Sequence, residues 1–495
     1  MAGYRTKVLH GGKIMRKIAL ILLVLGGLAG CATSAQEQRA TLDRAAASIG
    51  AFELKTIEYS GSGTWGQLGQ SATPGQAWPR FNLPSYTRTV SYESASIRDI
   101  FIRTQAENPP RGGGGQPIRG ELRQAFFASG DHAWNVVNDL PVSAGIALAE
   151  RQMQLWTTPH GFLKAAMARG ATVSGRTISF AVPRLYTARG FLNADGLLEK
   201  VEARVANPVV GDMPVEITYA DYRQFGPVKF PARITQRHSG FPTLDLTVTD
   251  VKVNVPFDIP APEPVRQAGG MYRAVKSDKV AEGVWYVTGG THHSVVLEMA
   301  DHVIVVEGPL NDERALAVIA ETRRIVPTKP IRYVIATHHH FDHSGGLRAF
   351  AGEGITIVSS QSARAYLERE LNVRATVAPD HLARSGRRAA VEAVTGKRTF
   401  SDGSRVVEVL HITDTMHSDD LIMVYLPREK FLIEADAYTP MAVGFVLPAG
   451  APAHPAQVNL ADNITRLNLA VDQILPIHGR MVPLVELHRA IGRAQ

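Results

Sequence analysis

At 495 residues the chain exceeds one ordinary domain, and 45% hydrophobic with 20% charged residues excludes a disordered or fibrous protein. The net charge of +7 is no nucleic-acid signature: Arg5, Lys7, Lys13, Arg16 and Lys17 lie in residues 1–30, which hold no acid, and the remainder carries only +2. The single cysteine, Cys31, excludes an intramolecular disulfide and a multi-cysteine zinc site.

The first element is apolar. Arg16 and Lys17 follow Met15 and precede a run from Ile18 to Leu28 that ends in small residues. About a dozen apolar residues fall short of the ~20 that span a bilayer, but they fit a secretory signal. Residues 1–14 form an upstream extension, so 1–30 is expected to be extension plus signal peptide. Leu28-Ala29-Gly30-Cys31 resembles a bacterial lipoprotein box, which implies cleavage before Cys31 and lipidation of its sulfur. Ala32 in place of aspartate resembles an outer-membrane address, so the expected location is the cell envelope, facing the periplasm. The alternative is a plain signal peptide with a chance cysteine.

Residues 31–50 are small and polar and suit a tether or a short helix. From 51 to 257, short alternating runs such as "RTVSYES", "ARITQRHSG" and "LDLTVTDVKVNV" predict a β-rich antiparallel-sheet domain. A helical stretch over 145–170 interrupts the strands. "PPRGGGGQP" (109–117) lacks the Lys-Ser/Thr of a phosphate loop and is expected to be a floppy hairpin loop. His160 and His238 stand alone and are expected to be structural or at the surface. Strands around a helix behind a lipid anchor look similar to the half-barrel domains of periplasmic lipoprotein carriers. Residues 258–270 carry Pro260, Pro262 and Pro264 before Gly269-Gly270 and predict an inter-domain linker.

Residues 271–495 change rhythm. "GVWYVTGG", "SVVLEMA" and "HVIVVEGP" predict consecutive strands. "NDERALAVIAETRRIV" predicts a helix capped by Asn311, with Asp312 and Glu313 at its positive end and Arg323 and Arg324 at its negative end. "IRYVIA" (331–336) predicts a buried strand leading into "THHHFDHSGG", with Gly345-Gly346 starting the next helix. "VVEVLHI", "LIMVYLP", "KFLIEAD" and "QILPIHG" are apolar runs ending in polar residues, and strands with intervening helices indicate a layered α/β domain.

Four imidazoles and a carboxylate crowd into residues 338–343. Residues i and i+2 of an extended loop point the same way, so His338 and His340 can share a metal while His339 faces away. Asp342 and His343, beyond a turn, can address a second metal. Candidates for the remaining ligands flank strands: His417, Asp436 and His478. One ion would take His338, His340 and His417, the other Asp342, His343 and His478, with Asp436 bridging. Such a site keeps open positions, as catalytic sites do. His292 and His293 in "GGTHHSVV" either line the site or support a turn.

"HHHFDH" fits an H-x-H-x-D-H signature, and with His417, Asp436 and His478 following in order, residues 271–495 resemble the metallo-β-lactamase fold superfamily. The resemblance implies an αββα sandwich with metals at one edge of its two sheets. It implies two divalent ions, zinc foremost, with iron or manganese also permitted by imidazole and carboxylate ligands. It further implies that Asp342 orients a metal-bridging hydroxide and carries a proton to the leaving group, the other six residues being ligands only. The expected reaction is hydrolysis of a small-molecule ester, thioester or lactone.

Aspartate at the bridging position is more similar to the glyoxalase II, lactonase and phosphodiesterase branches than to the β-lactamases proper, which use cysteine there or lack an acidic bridge. The alternatives are β-lactam hydrolysis, single-iron oxygen chemistry of the same fold, and a non-enzymatic envelope lipoprotein with a binding role. Met416 and Ala435 replace glycines common in the family, and Glu307 replaces an aspartate. Pocket residues are expected from 372–400, from the segment after Asp436, where Tyr438 and His454 are candidate contacts, and from the first domain.

Overall fold

The computed structural model describes Gly3 and residues 36–441 and 452–493. The signal peptide and Cys31 lie outside the described residues.

Thirteen strands between Thr56 and Val253 form one antiparallel sheet. The first strand, Thr56–Gly66, and the last, Phe241–Val253, pair at its middle. From that pair the order runs outward through consecutive hairpins to Leu140–Ser143 at one edge and Thr172–Ser174 at the other. Alternation sets which face is covered: Tyr186–Leu192 buries every second residue.

The predicted helical stretch is two helices, Leu148–Thr157 and Pro159–Ala168. They part at Thr158, whose hydroxyl accepts the Gly161 N–H at 3.3 Å, with Pro159 at the position where its missing N–H costs nothing. Met153, Leu155, Phe162 and Leu163 pack into the sheet's core.

The segments read as tether or short helix and as linker are both docked. Residues 36–49 are helical, and Leu42, Ala45, Ala46 and Ile49 recur at helical spacing and are buried in the same core. The described part of the tether is therefore an element of the first domain. In the linker, Glu263–Gln267 forms a short helix, and Ala261 and Val265 are buried against Trp134.

His160 and His238 are both buried. His160 Nε2 donates to the Ile49 carbonyl at 2.9 Å, and its ring stacks on Phe230. His238 lies 2.7 Å from the Glu150 carboxylate. Burial pushes His160 down to about 4 from an ordinary 6.5. The unfolded chain therefore binds a proton that the folded one refuses, and stability falls as pH drops through this window. Melting curves at pH 7 and pH 4.5 should show a smaller loss for His160→Gln, which keeps a donor and does not titrate. Equal losses would assign the acid sensitivity elsewhere.

The second half is an αββα sandwich. Its first sheet runs in chain order through seven strands, Lys276–Ala281 to Val391–Val394, and its second through six, Lys397–Ser401 to Val482–Pro483. Val295, Val306 and Ile335 of the first sheet meet Val409, Val424, Ile433 and Leu475 of the second. The helix Asp312–Ile325 covers the first sheet through Ala315, Val318 and Ile319, and its cap is as predicted: Asn311 accepts the Arg314 N–H at 2.9 Å. The helices Pro455–Arg466 and Leu484–Ala490 cover the second sheet.

Topology collects the loops that matter. Val303–Val306, Ile331–Ile335 and Thr356–Ser360 are parallel, as are Phe431–Glu434 and Gln473–Pro476. The chain leaves them at one edge of the sandwich. After Ile335 comes the histidine loop, then a short helix, Phe341–Ser344, which the sequence did not suggest; the next helix is Leu347–Gly352. Gly345 joins the two where a Cβ would lie 2.0 Å from the Leu310 carbonyl oxygen, so no larger residue fits.

Within residues 372–400, the loop around Thr376 faces the first domain. The Asp212 carboxylate accepts the N–H groups of Thr376 and Val377 at 2.8 and 2.9 Å, which docks this loop on the first domain.

Candidate metal centre

Five loops bring polar side chains to the sandwich edge. His338 Nε2 and His417 Nε2 are 3.2 Å apart and lie 3.8 and 3.0 Å from Asp436 Oδ2. His343 Nε2 and His478 Nε2 are likewise 3.2 Å apart and lie 3.3 and 3.0 Å from Asp436 Oδ1. Each oxygen of Asp436 therefore faces one histidine group. Asp436 reaches this position from a left-handed turn, φ 61°, held by the Glu434 carboxylate, which accepts the N–H groups of Ala437 and Tyr438 at 3.1 Å each. Glu434 is itself pushed up to about 8 by burial.

The chemistry of the donors fits a cation. His340 Nε2 donates to the Ser71 carbonyl at 2.9 Å, which leaves Nδ1 as the lone-pair nitrogen; it is buried and has no hydrogen-bond partner. A buried acceptor without a donor is costly unless something else satisfies it. His478 Nδ1 donates to the Thr291 carbonyl at 3.0 Å, which turns the Nε2 lone pair toward Asp436.

Burial first, and neighbouring imidazoles second, push His338 and His340 well below the ordinary histidine range, so both stay neutral as metal ligation requires. Burial alone would raise Asp436, but His343, His478 and His417 outweigh it and hold the carboxyl well below its usual value. Two groups of potential ligand atoms result: His338, His340, His417 and Asp436, and His292, Asp342, His343 and His478. The clusters suit a divalent metal-ion site.

A profile described as the metallo-beta-lactamase superfamily matches residues 287–474. The carboxy-terminal domain belongs to the metallo-β-lactamase superfamily. His478 lies just beyond the matched stretch. Solved structures similar to this chain include a metallo-β-lactamase from Pontibacter korlensis, at 18% identity over 44% of this chain and 97% of that one, with a TM-score of 0.34. Another is FIM-1 from Pseudomonas aeruginosa in its mono-zinc form, at 20% identity over 44% and 93%, with a TM-score of 0.33. A third, from Hirschia baltica, is 20% identical over 45% and 99%, with a TM-score of 0.34. No curated protein matches the sequence.

Around the centre of this metallo-β-lactamase domain, several side chains have supporting positions. His339 turns away from it, with Nδ1 2.8 Å from Asp420 Oδ1 and Nε2 2.9 Å from Ser71 Oγ. Glu307 is buried and accepts the Thr337 hydroxyl at 2.5 Å. Its other neighbour, His343 Nδ1, is 3.6 Å away, too far for a hydrogen bond. Tyr438 is buried in the outer core of the second sheet, a packing role. His292 Nε2 lies 3.3 Å from Asp342 Oδ2, a contact the "GGTHHS" motif hinted at without assigning.

Residues 109–117 join two antiparallel strands, as the hairpin expectation has it, but the loop is not free. Gly112–Gln116 form one wall of a cleft of about 460 Å³, opposite Asp342, His417, Asp436 and His478. Gln70 and His454 line the same cleft, and His454 Nε2 donates to the Gln116 carbonyl at 2.9 Å. Among the described residues, none from 372–400 lines it.

Proposed function

We propose that the metallo-β-lactamase domain is a binuclear metal-dependent hydrolase of uncharged esters, thioesters or lactones. The observation that carries this reading is the division of Asp436 between two histidine groups, one oxygen to each. Two divalent ions held there would supply Lewis acidity and a water acidified toward neutral pH. His338, His340 and His417 would hold one ion, Asp342, His343 and His478 the other, and Asp436 both. Partial burial alone would raise Asp342, but His343 and His292 outweigh it, so the carboxyl is ionised at neutral pH. It is half-exposed to the cleft, where it can accept a proton and pass it to a leaving group.

The substrate class follows from charge. None of the described cleft residues is lysine or arginine. Nor does the sequence hold either residue anywhere from Ala437 to Gln457. A phosphodiester, or the carboxylate of a β-lactam, would meet no cationic side chain in the cleft wall, Arg119 acting on His454 from outside it. Neutral donors and acceptors such as Gln70, Thr439 and Gln457 suit an uncharged acyl compound instead.

A panel of esters, thioesters, lactones, β-lactams and phosphodiesters tests this on metal-loaded protein. Turnover of uncharged acyl substrates, lost on chelation, is expected. Turnover of β-lactams or phosphodiesters alone would overturn the substrate class.

We further propose that Cys31 anchors the chain to the outer membrane, on the strength of the lipobox-like residues before it. Among the described residues, no helix is long and apolar enough to cross a membrane. Cys31→Ser should move the protein to the soluble fraction, whereas continued membrane association would count against the anchor.

A further inference from the structure

We propose that the first domain completes the active site and that its Gln70 is a positioning residue for Asp342. The inference rests on the binuclear reading above. Gln70 Nε2 donates to Asp342 Oδ1 at 2.8 Å. The second oxygen, Oδ2, faces the other side, 3.3 Å from His292 Nε2 and 3.7 Å from His343 Nε2. One oxygen is thus occupied by an amide from the first domain, and the other is turned toward the second histidine group. A carboxylate can rotate about its last bond, and a fixed donor on one oxygen removes that freedom. An amide does so without adding a charge beside the metal centre.

Gln70 is fixed in turn. The Gly113 N–H donates to the Gln70 main-chain carbonyl at 3.0 Å, and the Gly112 N–H donates to the Met416 main-chain carbonyl, next to His417, at 2.8 Å. The glycine run is required by this approach. A Cβ on Gly113 would lie 1.9 Å from Gln70 Oε1 and 3.1 Å from His340 Cε1. Gly112 and Gly114 also have φ of 94° and 82°, in the region that favours glycine.

The residue after Gln70 serves the other histidine group. The Ser71 carbonyl accepts the His340 Nε2–H and so leaves Nδ1 free to ligate. Adjacent residues of one strap therefore address both groups. Further along, the Thr73 hydroxyl bonds Asp419 at 2.5 Å and touches neither group.

Cobalt(II) titration of the metal-free, full-length protein, followed by visible absorption against a competing chelator, separates the two binding steps without using activity. Gln70→Ala is expected to keep the first step and weaken the second by roughly 10–100-fold, the range for lost outer partners of a metal ligand. Thr73→Val should leave both steps unchanged and serves as the control for strap integrity. Two unchanged steps in Gln70→Ala, or equal weakening of both steps in Gln70→Ala and Thr73→Val, would overturn the positioning role. A wild-type protein that takes up both equivalents yet hydrolyses no acyl substrate would overturn the hydrolase reading alone.

Discussion

Asp436→Ala is expected to reduce hydrolysis to the uncatalysed background and bound metal from about two ions per chain to one or none. The reason is geometric. Among the described residues, Asp436 is the side chain whose two oxygens approach both histidine groups, at 3.0 Å from His417 Nε2 on one side and 3.0 Å from His478 Nε2 on the other. It is also the shared negative charge among imidazoles that otherwise repel when protonated. Asp342→Ala should behave differently, because it touches one group only. An ion bound by His338, His340 and His417 should stay, while turnover should be lost with the second ion and the proton acceptor. Elemental analysis beside an activity assay and circular dichroism checks both variants. Unchanged turnover in either, with the fold intact, would contradict the proposed mechanism.

Arg314→Ala is expected to cost stability of about 3–5 kcal/mol, because each buried acceptor left unpaired costs ~1–3 kcal/mol. Arg314 is fully buried without a carboxylate partner. Its guanidinium instead donates to three backbone carbonyls: Ala274 at 2.7 Å, and Thr288 and His292 at 3.1 Å each. It thus holds the incoming chain and the hairpin turn that carries His292 onto the helix Asp312–Ile325. Such a loss is a large part of the ~5–15 kcal/mol that stabilises a typical domain. The denaturant midpoint of the second domain should fall accordingly, and a change under about 1 kcal/mol would contradict this role.

The sandwich was legible because its strands are apolar runs that end where polar residues begin. "IRYVIATHHH" and "QILPIHG" carry both the strand and the loop residues that follow it. The i, i+2 rule separated His338 and His340 from His339, and the structure turns His339 toward Asp420 and Ser71. The helix at 36–49 was legible in principle, since Leu42, Ala45, Ala46 and Ile49 recur at helical spacing within a small-residue stretch.

Other features had no local signal. Gln70 meets Asp342 across 272 positions of sequence, and nothing around either residue encodes that contact. A run of glycines has the same composition whether it is flexible or pressed against a neighbour. Only the atoms that a Cβ on Gly113 would strike distinguish the two. The central pairing of the first and last strands of the large sheet is equally non-local, so a pass along the chain finds the strands but not their order.

Elemental mass spectrometry on metal-supplemented protein beginning at residue 32 counts the ions that the histidine and aspartate clusters bind. About two divalent ions per chain are expected, zinc foremost. A single iron, or no metal after supplementation, would contradict the binuclear reading.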